Sequence, residues 1–179
     1  EYLETSAKIS AVALDKTGTL TEGQPELTDI LALSPEFGDT EILRWAAAAE
    51  AGSEHPLARP VLDAAKEAGV GFEGIPTEVT PVPGKGIVSE VDGERVLIGN
   101  APLLAQFGIV DDVGATEAAA GLAAKGRTPM IVAVGDRVVG VIGVADRVRD
   151  DAAEMVRRLH GAGVDKVVML TGDTQLVAE

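Results

Sequence analysis

Apolar and polar positions alternate with two different periods along this chain, and the switches between them outline its elements. Residues 9–14 (ISAVAL) form a short apolar run of the kind expected for a strand buried in a parallel sheet. Pro25 punctuates the exit from the segment that follows, residues 28–33 read as a second strand, and residues 34–38 carry Ser, Pro and Gly turn signals. Helical spacing begins at Thr40 and continues through Leu43, Ala46, Ala47 and Glu50, with Asp39 or Thr40 as N-cap. A second helix is predicted over about 56–68, closed by Gly69. Strand-like runs follow at 77–81, 86–91 and 94–98, the last two joined by Asp92-Gly93, a strong hairpin signal. Short helices near 102–106 and 114–125 precede a strand pair, 129–134 and 138–144, turned at Gly135-Asp136. The end of the chain reads as a helix over 150–160, with Ala153, Val156 and Leu159 apolar, and then a strand at 167–170. Strand, turn, helix and strand at the two chain ends, with an α+β stretch between them, predict an α/β domain split by an insertion. The expected pieces are residues 1–23 and 145–179 on either side of 24–144, with 24–25 and 145–148 as hinge strands.

The predicted first strand runs into Asp15-Lys16-Thr17-Gly18-Thr19-Leu20-Thr21, or DKTGTLT. A carboxylate at the carboxyl end of a parallel strand projects into the crevice beyond the sheet, where loop N–H groups can cradle a phosphate. Asp15 is therefore the candidate nucleophile, attacking a γ-phosphoryl group to give an aspartyl-phosphate. Gly18 lets the backbone turn close to the phosphate with positive φ, and Thr17 and Thr19 add hydroxyls without charge. A carboxylate two residues after the nucleophile would be a general acid/base able to hydrolyse the acyl-phosphate quickly. Thr17 occupies that position and takes no proton near neutral pH, so the intermediate is expected to last.

Charge and composition narrow the partners. A net charge of −14 over 179 residues argues against nucleic acid or an anionic membrane surface. It also means that an anionic nucleotide needs help from Mg²⁺, backbone donors or a few lysines. The chain has no cysteine and only two histidines, His55 and His160, which disfavours a dedicated transition-metal site. No uncharged apolar stretch approaches the ~18–20 residues of a membrane span.

Further short motifs accompany DKTGTLT: SEHPLA at 53–58, GKG at 84–86, IGN at 98–100, DRVR at 146–149 and TGD at 171–173. In this order and rough spacing they resemble the P-type cation-transporting ATPases almost from end to end, and the His55-Pro56 pair resembles the heavy-metal-transporting branch. The resemblance implies an incomplete doubly wound, haloacid-dehalogenase-like phosphorylation domain. It also implies that the insertion is an α+β nucleotide-binding domain with an antiparallel sheet, which brings its ATP to the aspartate. The chain begins without methionine and ends shortly after TGD, so it is expected to be a cytoplasmic piece of a membrane pump. The transported heavy-metal ion would then pass through a membrane domain outside the piece. Both copper-type and zinc/cadmium/cobalt-type pumps stay open, with overall texture leaning to the divalent group.

The resemblance also implies that Glu50, His55, Gly84, Gly86 and Asn100 contact the adenosine part of ATP. Pro56 keeps His55 out of the helical region, so a neutral ring there can stack on adenine, and Glu50 can accept from the amino group. Gly84 and Gly86 allow close backbone approach, and Asn100 offers both donor and acceptor. Taken singly, His55 also reads as a structural histidine at a loop–helix junction, the two glycines as turn residues and Asn100 as a helix N-cap. Thr171, with Gly172 in the same loop, is expected to hydrogen-bond a phosphate oxygen. Asp173 either organises that loop or caps a helix. Asp146 and Arg149 either bridge the hinge and reach the ribose or form a solvated i, i+3 ion pair. Mg²⁺ would have Asp15, the Thr17 carbonyl, waters and phosphate oxygens. The resemblance implies a lysine and a second aspartate motif downstream of TGD, neither of which occurs by residue 179. The piece is therefore expected to bind nucleotide and phosphorylate poorly. The rival readings are a soluble haloacid-dehalogenase-type phosphatase or phosphomutase, against which Thr17 counts, and a regulatory nucleotide-binding module without chemistry.

Overall fold

The computed structural model describes residues 9–72, 78–111 and 113–170. The chain divides into two compact units: a split unit on either side of an insertion, and the inserted unit Glu26–Ala145. The split unit takes residues up to Pro25 and from Asp146 onward.

In the split unit, β1 (Ala11–Asp15) pairs in parallel with β8 (Lys166–Leu170), so that Asp15 at the end of β1 sits opposite Leu170 at the end of β8. Helix α5 (Ala152–Gly161) precedes β8 and packs on it, completing the strand–helix–strand pattern expected of a doubly wound fold. The buried apolar position at its start is Ala152 rather than Ala153, which is exposed; Met155, Val156 and Leu159 are half-buried. The shift arises because the helix begins at Ala152, after Asp151, two residues later than the spacing predicted.

The inserted unit is built on a six-stranded sheet in the order β2-β7-β6-β5-β4-β3. Its strands are β2 (Thr21–Ala32), β3 (Glu78–Val82), β4 (Gly86–Val91), β5 (Glu94–Gly99), β6 (Thr128–Val134) and β7 (Arg137–Val148). From β3 through to β7 every neighbouring pair is antiparallel. Helices α1 (Asp39–Glu50) and α2 (Ala58–Glu67) cover one face, where Ile42, Ala46 and Val61 meet Val96, Ile98, Val132 and Ile142. Helices α3 (Ala101–Gln106) and α4 (Ala115–Ala123) cover the other, where Leu103 and Leu122 meet Leu97, Ile131 and Val141. Because both faces are covered, β6 and β7 read as nearly unbroken apolar runs although their pairing is antiparallel. Fully buried side chains such as Ile42, Leu97, Ile98 and Ile142 each contribute about 1.5–3 kcal/mol by leaving water.

One irregularity sets the pattern of β7. Val132 pairs with Gly140 and Ala133 with Val138, so Val139 bulges out of register, and its carbonyl accepts from the Leu33 and Ser34 N–H groups. Val139 and Ile142 consequently face the same core although they are an odd number of positions, three, apart.

Two expectations are corrected. Pro25 does not end an element: β2 runs through it, because the proline lies on an edge strand, where its missing N–H costs no ladder bond. The N-cap of α1 is Gly38, whose carbonyl receives the Glu41 and Ile42 N–H groups, instead of Asp39 or Thr40, both inside the first turn. Residue 77, the predicted start of β3, lies outside the described residues. Among the described residues no helix is long and apolar enough to cross a membrane.

Candidate functional site

The split unit holds the first half of the site. β1 delivers Asp15, in extended backbone and exposed, to a single turn over Lys16–Leu20 closed by the Thr21 N–H donating to the Lys16 carbonyl. Thr17 (φ −75°, ψ 119°) and Gly18 (φ 77°, ψ −7°) have the angles of the two central residues of a type II turn. The second of these favours glycine, which is the local reason for the Thr-Gly order. Thr17 and Thr19 are exposed beside Asp15, and Lys16 is half-buried. Thr171, Gly172 and Asp173 lie outside the described residues.

Beneath this turn is an interaction that sequence reasoning missed. Thr21 is only 2% exposed, and its hydroxyl lies 2.5 Å from Asp146 Oδ2 and 3.0 Å from the Lys16 carbonyl, while the Gly18 N–H donates to it at 3.1 Å. Asp146 Oδ1 accepts from the Gln24 N–H at 3.1 Å. Asp146 and Arg149 do not pair with each other. The Arg149 N–H donates to the Leu20 carbonyl, and its guanidinium lies 3.5 Å from Asp151. The expected i, i+3 ion pair is absent because the Asp146 carboxylate is taken up by the turn and by β2.

In the inserted unit, two groups of residues assemble around neighbouring elements. Gly84, Lys85 and Gly86 form the tight connection into β4. The Lys85 carbonyl accepts from the Asn100 N–H at 2.9 Å, and Asn100 Nδ2 donates to the Gly84 carbonyl at 3.0 Å. Asn100 Oδ1 also accepts from the Leu103 N–H at 3.2 Å, so this residue is both the N-cap of α3 and the clamp on the glycine loop. Gly86 pairs with Gly99 at the end of the β4–β5 ladder, and a Cβ on either would collide with the opposite backbone. Gly99 stood inside the IGN motif, yet only the contact across the ladder shows why it must be glycine.

The other group sits at the end of α1. Glu50 is 2% exposed, its Oε2 has no partner among the described residues, and burial raises its pKa against the lowering effect of a Ser53 hydrogen bond. The next turn places His55 in the open. Its Nδ1 accepts from the Leu57 N–H at 3.2 Å, which leaves the ring's other nitrogen, Nε2, to face outward. The Ser89 hydroxyl on β4 donates to the Ala49 carbonyl at 2.9 Å, tying the end of α1 to the strand that Gly86 begins. The groups these elements offer a ligand are a buried carboxyl oxygen without a partner among the described residues, an exposed imidazole and the two glycines that flank Lys85. Among the described residues, no cluster of three or more His, Asp or Glu side chains is arranged around a metal ion.

A parallel strand ending in an exposed carboxylate, interrupted by a sheet domain and resumed by helix and strand, defines an α/β scaffold split by an insertion. The pattern of the haloacid dehalogenase-like hydrolases matches residues 9–179, and the chain belongs to that family. Within it, the chain is 40% identical over its whole length to a silver exporting P-type ATPase of Salmonella typhimurium, covering 21% of that protein. It is also 40% identical over 99% of its length to a copper-transporting P-type ATPase of Rhizobium leguminosarum bv. viciae, again covering 21%. A zinc-transporting PIB-type ATPase solved in its E2.Pi state is 36% identical, with a TM-score of 0.80 over 98% of this chain and 28% of that one. The chain thus corresponds to one segment of heavy-metal P-type ATPases and spans about a fifth of the length of the curated relatives it matches.

Proposed function

We propose that this chain is the ATP-binding and phosphorylation region of a heavy-metal-transporting P-type ATPase, on the cytoplasmic side of a membrane protein. The observation that carries the proposal is the position of Asp15, exposed at the carboxyl end of β1 and heading the Thr17-Gly18 turn. The inserted unit holds ATP. Glu50 meets the adenine amino group, His55 stacks on the ring, and the Gly84–Gly86 loop clamped by Asn100 lies against the nucleoside. A carboxylate oxygen of Asp15 then attacks the γ-phosphorus. The bond from phosphorus to the β–γ bridging oxygen breaks, ADP leaves with its electron pair, and an aspartyl-phosphate remains. Thr171 donates to a phosphate oxygen. Water later hydrolyses the intermediate, and the energy moves a heavy-metal ion through a membrane part outside this chain.

The donor set fits Mg²⁺, a hard cation that commonly takes one or two carboxylates together with phosphate oxygens. Asp15 and the Thr17 carbonyl would hold it, and once bound it neutralises charge on the transferring phosphoryl group. The soluble-phosphatase reading is disfavoured by Thr17, which is no general acid, and by end-to-end identity with ion pumps. The test is incubation of the full-length protein with γ-labelled ATP. Acid-stable, hydroxylamine-labile label that disappears in Asp15→Asn is the expected outcome. Turnover of a simple aryl phosphate without such a label would return the phosphatase to the front.

A further inference from the structure

Thr21 has a single hydroxyl proton and two nearby acceptors. The Asp146 carboxylate at 2.5 Å is charged and closer than the Lys16 carbonyl at 3.0 Å, which already receives the Thr21 N–H. With its proton given to Asp146, the Thr21 oxygen has its lone pairs free for the Gly18 N–H, the contact seen at 3.1 Å. That N–H belongs to the Thr17–Gly18 peptide, which is planar and trans, so fixing its direction fixes the Thr17 carbonyl in the opposite direction. The arrangement is buried at Thr21, and Asp146 is itself anchored by the Gln24 N–H.

We propose that Thr21 and Asp146 are a positioning pair for phosphoryl transfer, aiming the Thr17 carbonyl through the Gly18 N–H. The inference rests on the proposed function, which assigns that carbonyl to Mg²⁺. It adds two residues that touch neither nucleotide nor phosphate and act through one peptide plane. Outer-shell partners of this kind are worth about 10–100-fold in metal affinity or activity.

The experiment compares Thr21→Val, Thr21→Ser and Asp146→Asn in the full-length protein. The half-saturating Mg²⁺ concentration for labelling Asp15 should rise about 10-fold in Thr21→Val, with ATP affinity unchanged, and Thr21→Ser should restore it. Asp146→Asn should fall between wild type and Thr21→Val. A readout independent of turnover is amide hydrogen exchange at Gly18 in the 179-residue chain, which should be slow in wild type and in Thr21→Ser and fast in Thr21→Val. Wild-type protein that never labels Asp15 overturns the phosphorylation reading and this inference with it. Normal labelling together with unchanged Mg²⁺ dependence in Thr21→Val overturns the inference alone, as does unchanged Gly18 exchange.

Discussion

Replacing Gly86 by alanine tests the geometry of the Gly84–Gly86 loop most severely. The added Cβ would lie 2.0 Å from the Ile98 carbonyl oxygen, 2.6 Å from Gly99 Cα and 2.9 Å from the Ile98 carbonyl carbon, all of them backbone. A carbon rests about 3.3 Å or more from a carbonyl oxygen, so the Gly86–Gly99 pair would have to separate by more than about 1 Å. Forcing side-chain atoms into a filled space costs about 1–3 kcal/mol. The φ of 141° at this residue adds strain of about 1–3 kcal/mol for a residue with a side chain. The expected loss is about 2–6 kcal/mol, a large part of the ~5–15 kcal/mol that a domain possesses. Gly84→Ala is the internal control. Its φ of 71° is also left-handed, but nothing lies within 4 Å of the added atom, so only about 1–2 kcal/mol is at stake. Urea unfolding without nucleotide, followed by the fluorescence of the single tryptophan, Trp45 in the α1-side core, separates stability from binding. A loss in Gly86→Ala no larger than that in Gly84→Ala would refute the close crossing of β4 and β5.

Three further outcomes are expected. Glu50→Gln should stabilise the inserted unit near neutral pH and weaken ATP binding: burial raises the Glu50 pKa, so the wild-type unit is most stable below the usual value of 4.5 and loses stability as pH rises through the folded-state pKa. Melting temperatures measured across pH should show the gap between variant and wild type growing upward from acid and closing there. His55→Gln should weaken ATP binding several-fold by calorimetry while leaving the unfolding midpoint in place, because the ring is exposed. Asp111→Ala should cost about 1 kcal/mol, since its carboxylate receives the Ala115 and Thr116 N–H groups at 2.8 and 2.7 Å at the start of α4. A hydrogen bond from the Thr116 side chain first, and then the backbone N–H bonds, lower the pKa of Asp111, so its contribution is present above the usual 3.8 and vanishes as pH falls through the folded-state value. Equal unfolding midpoints for variant and wild type at neutral pH would contradict that role.

What was legible in the sequence was whatever depends on local pattern. The Asp92-Gly93 hairpin, the strand over Gly86–Val91 and the aspartate at the end of β1 needed only their own neighbours to be seen. Pro25 misled because proline breaks a strand only where its N–H is needed, and edge position is a property of the whole sheet. The bulge at Val139 was hidden for a related reason: an unbroken valine-rich run gives no sign of where its facing changes. Asp146 was singled out, but as a hinge or ribose contact, because nothing in the sequence says that it meets Thr21. Asn100 shows a different case: it was legible as a helix cap, which its Oδ1 realises, whereas the bond from its Nδ2 to the Gly84 carbonyl depends on a loop far off in sequence.

The link between Thr21 and Asp146 spans 125 residues of chain, and that separation bears on how the site comes into being. On the ribosome Asp15 and its turn emerge long before the carboxylate that secures them, so the turn stays unsecured while the whole insertion is made. Closing a loop of that length in an unfolded chain, relative to one of a few residues, costs about 3 kcal/mol of entropy. The inserted sheet removes most of that cost, because its first and last strands, β2 and β7, lie side by side. Once the insertion has folded, Asp146 is presented almost where Thr21 awaits it. The inserted unit thus helps to secure the turn that follows Asp15, and a variant that slows its folding should delay the ordering of that turn without altering any of its residues.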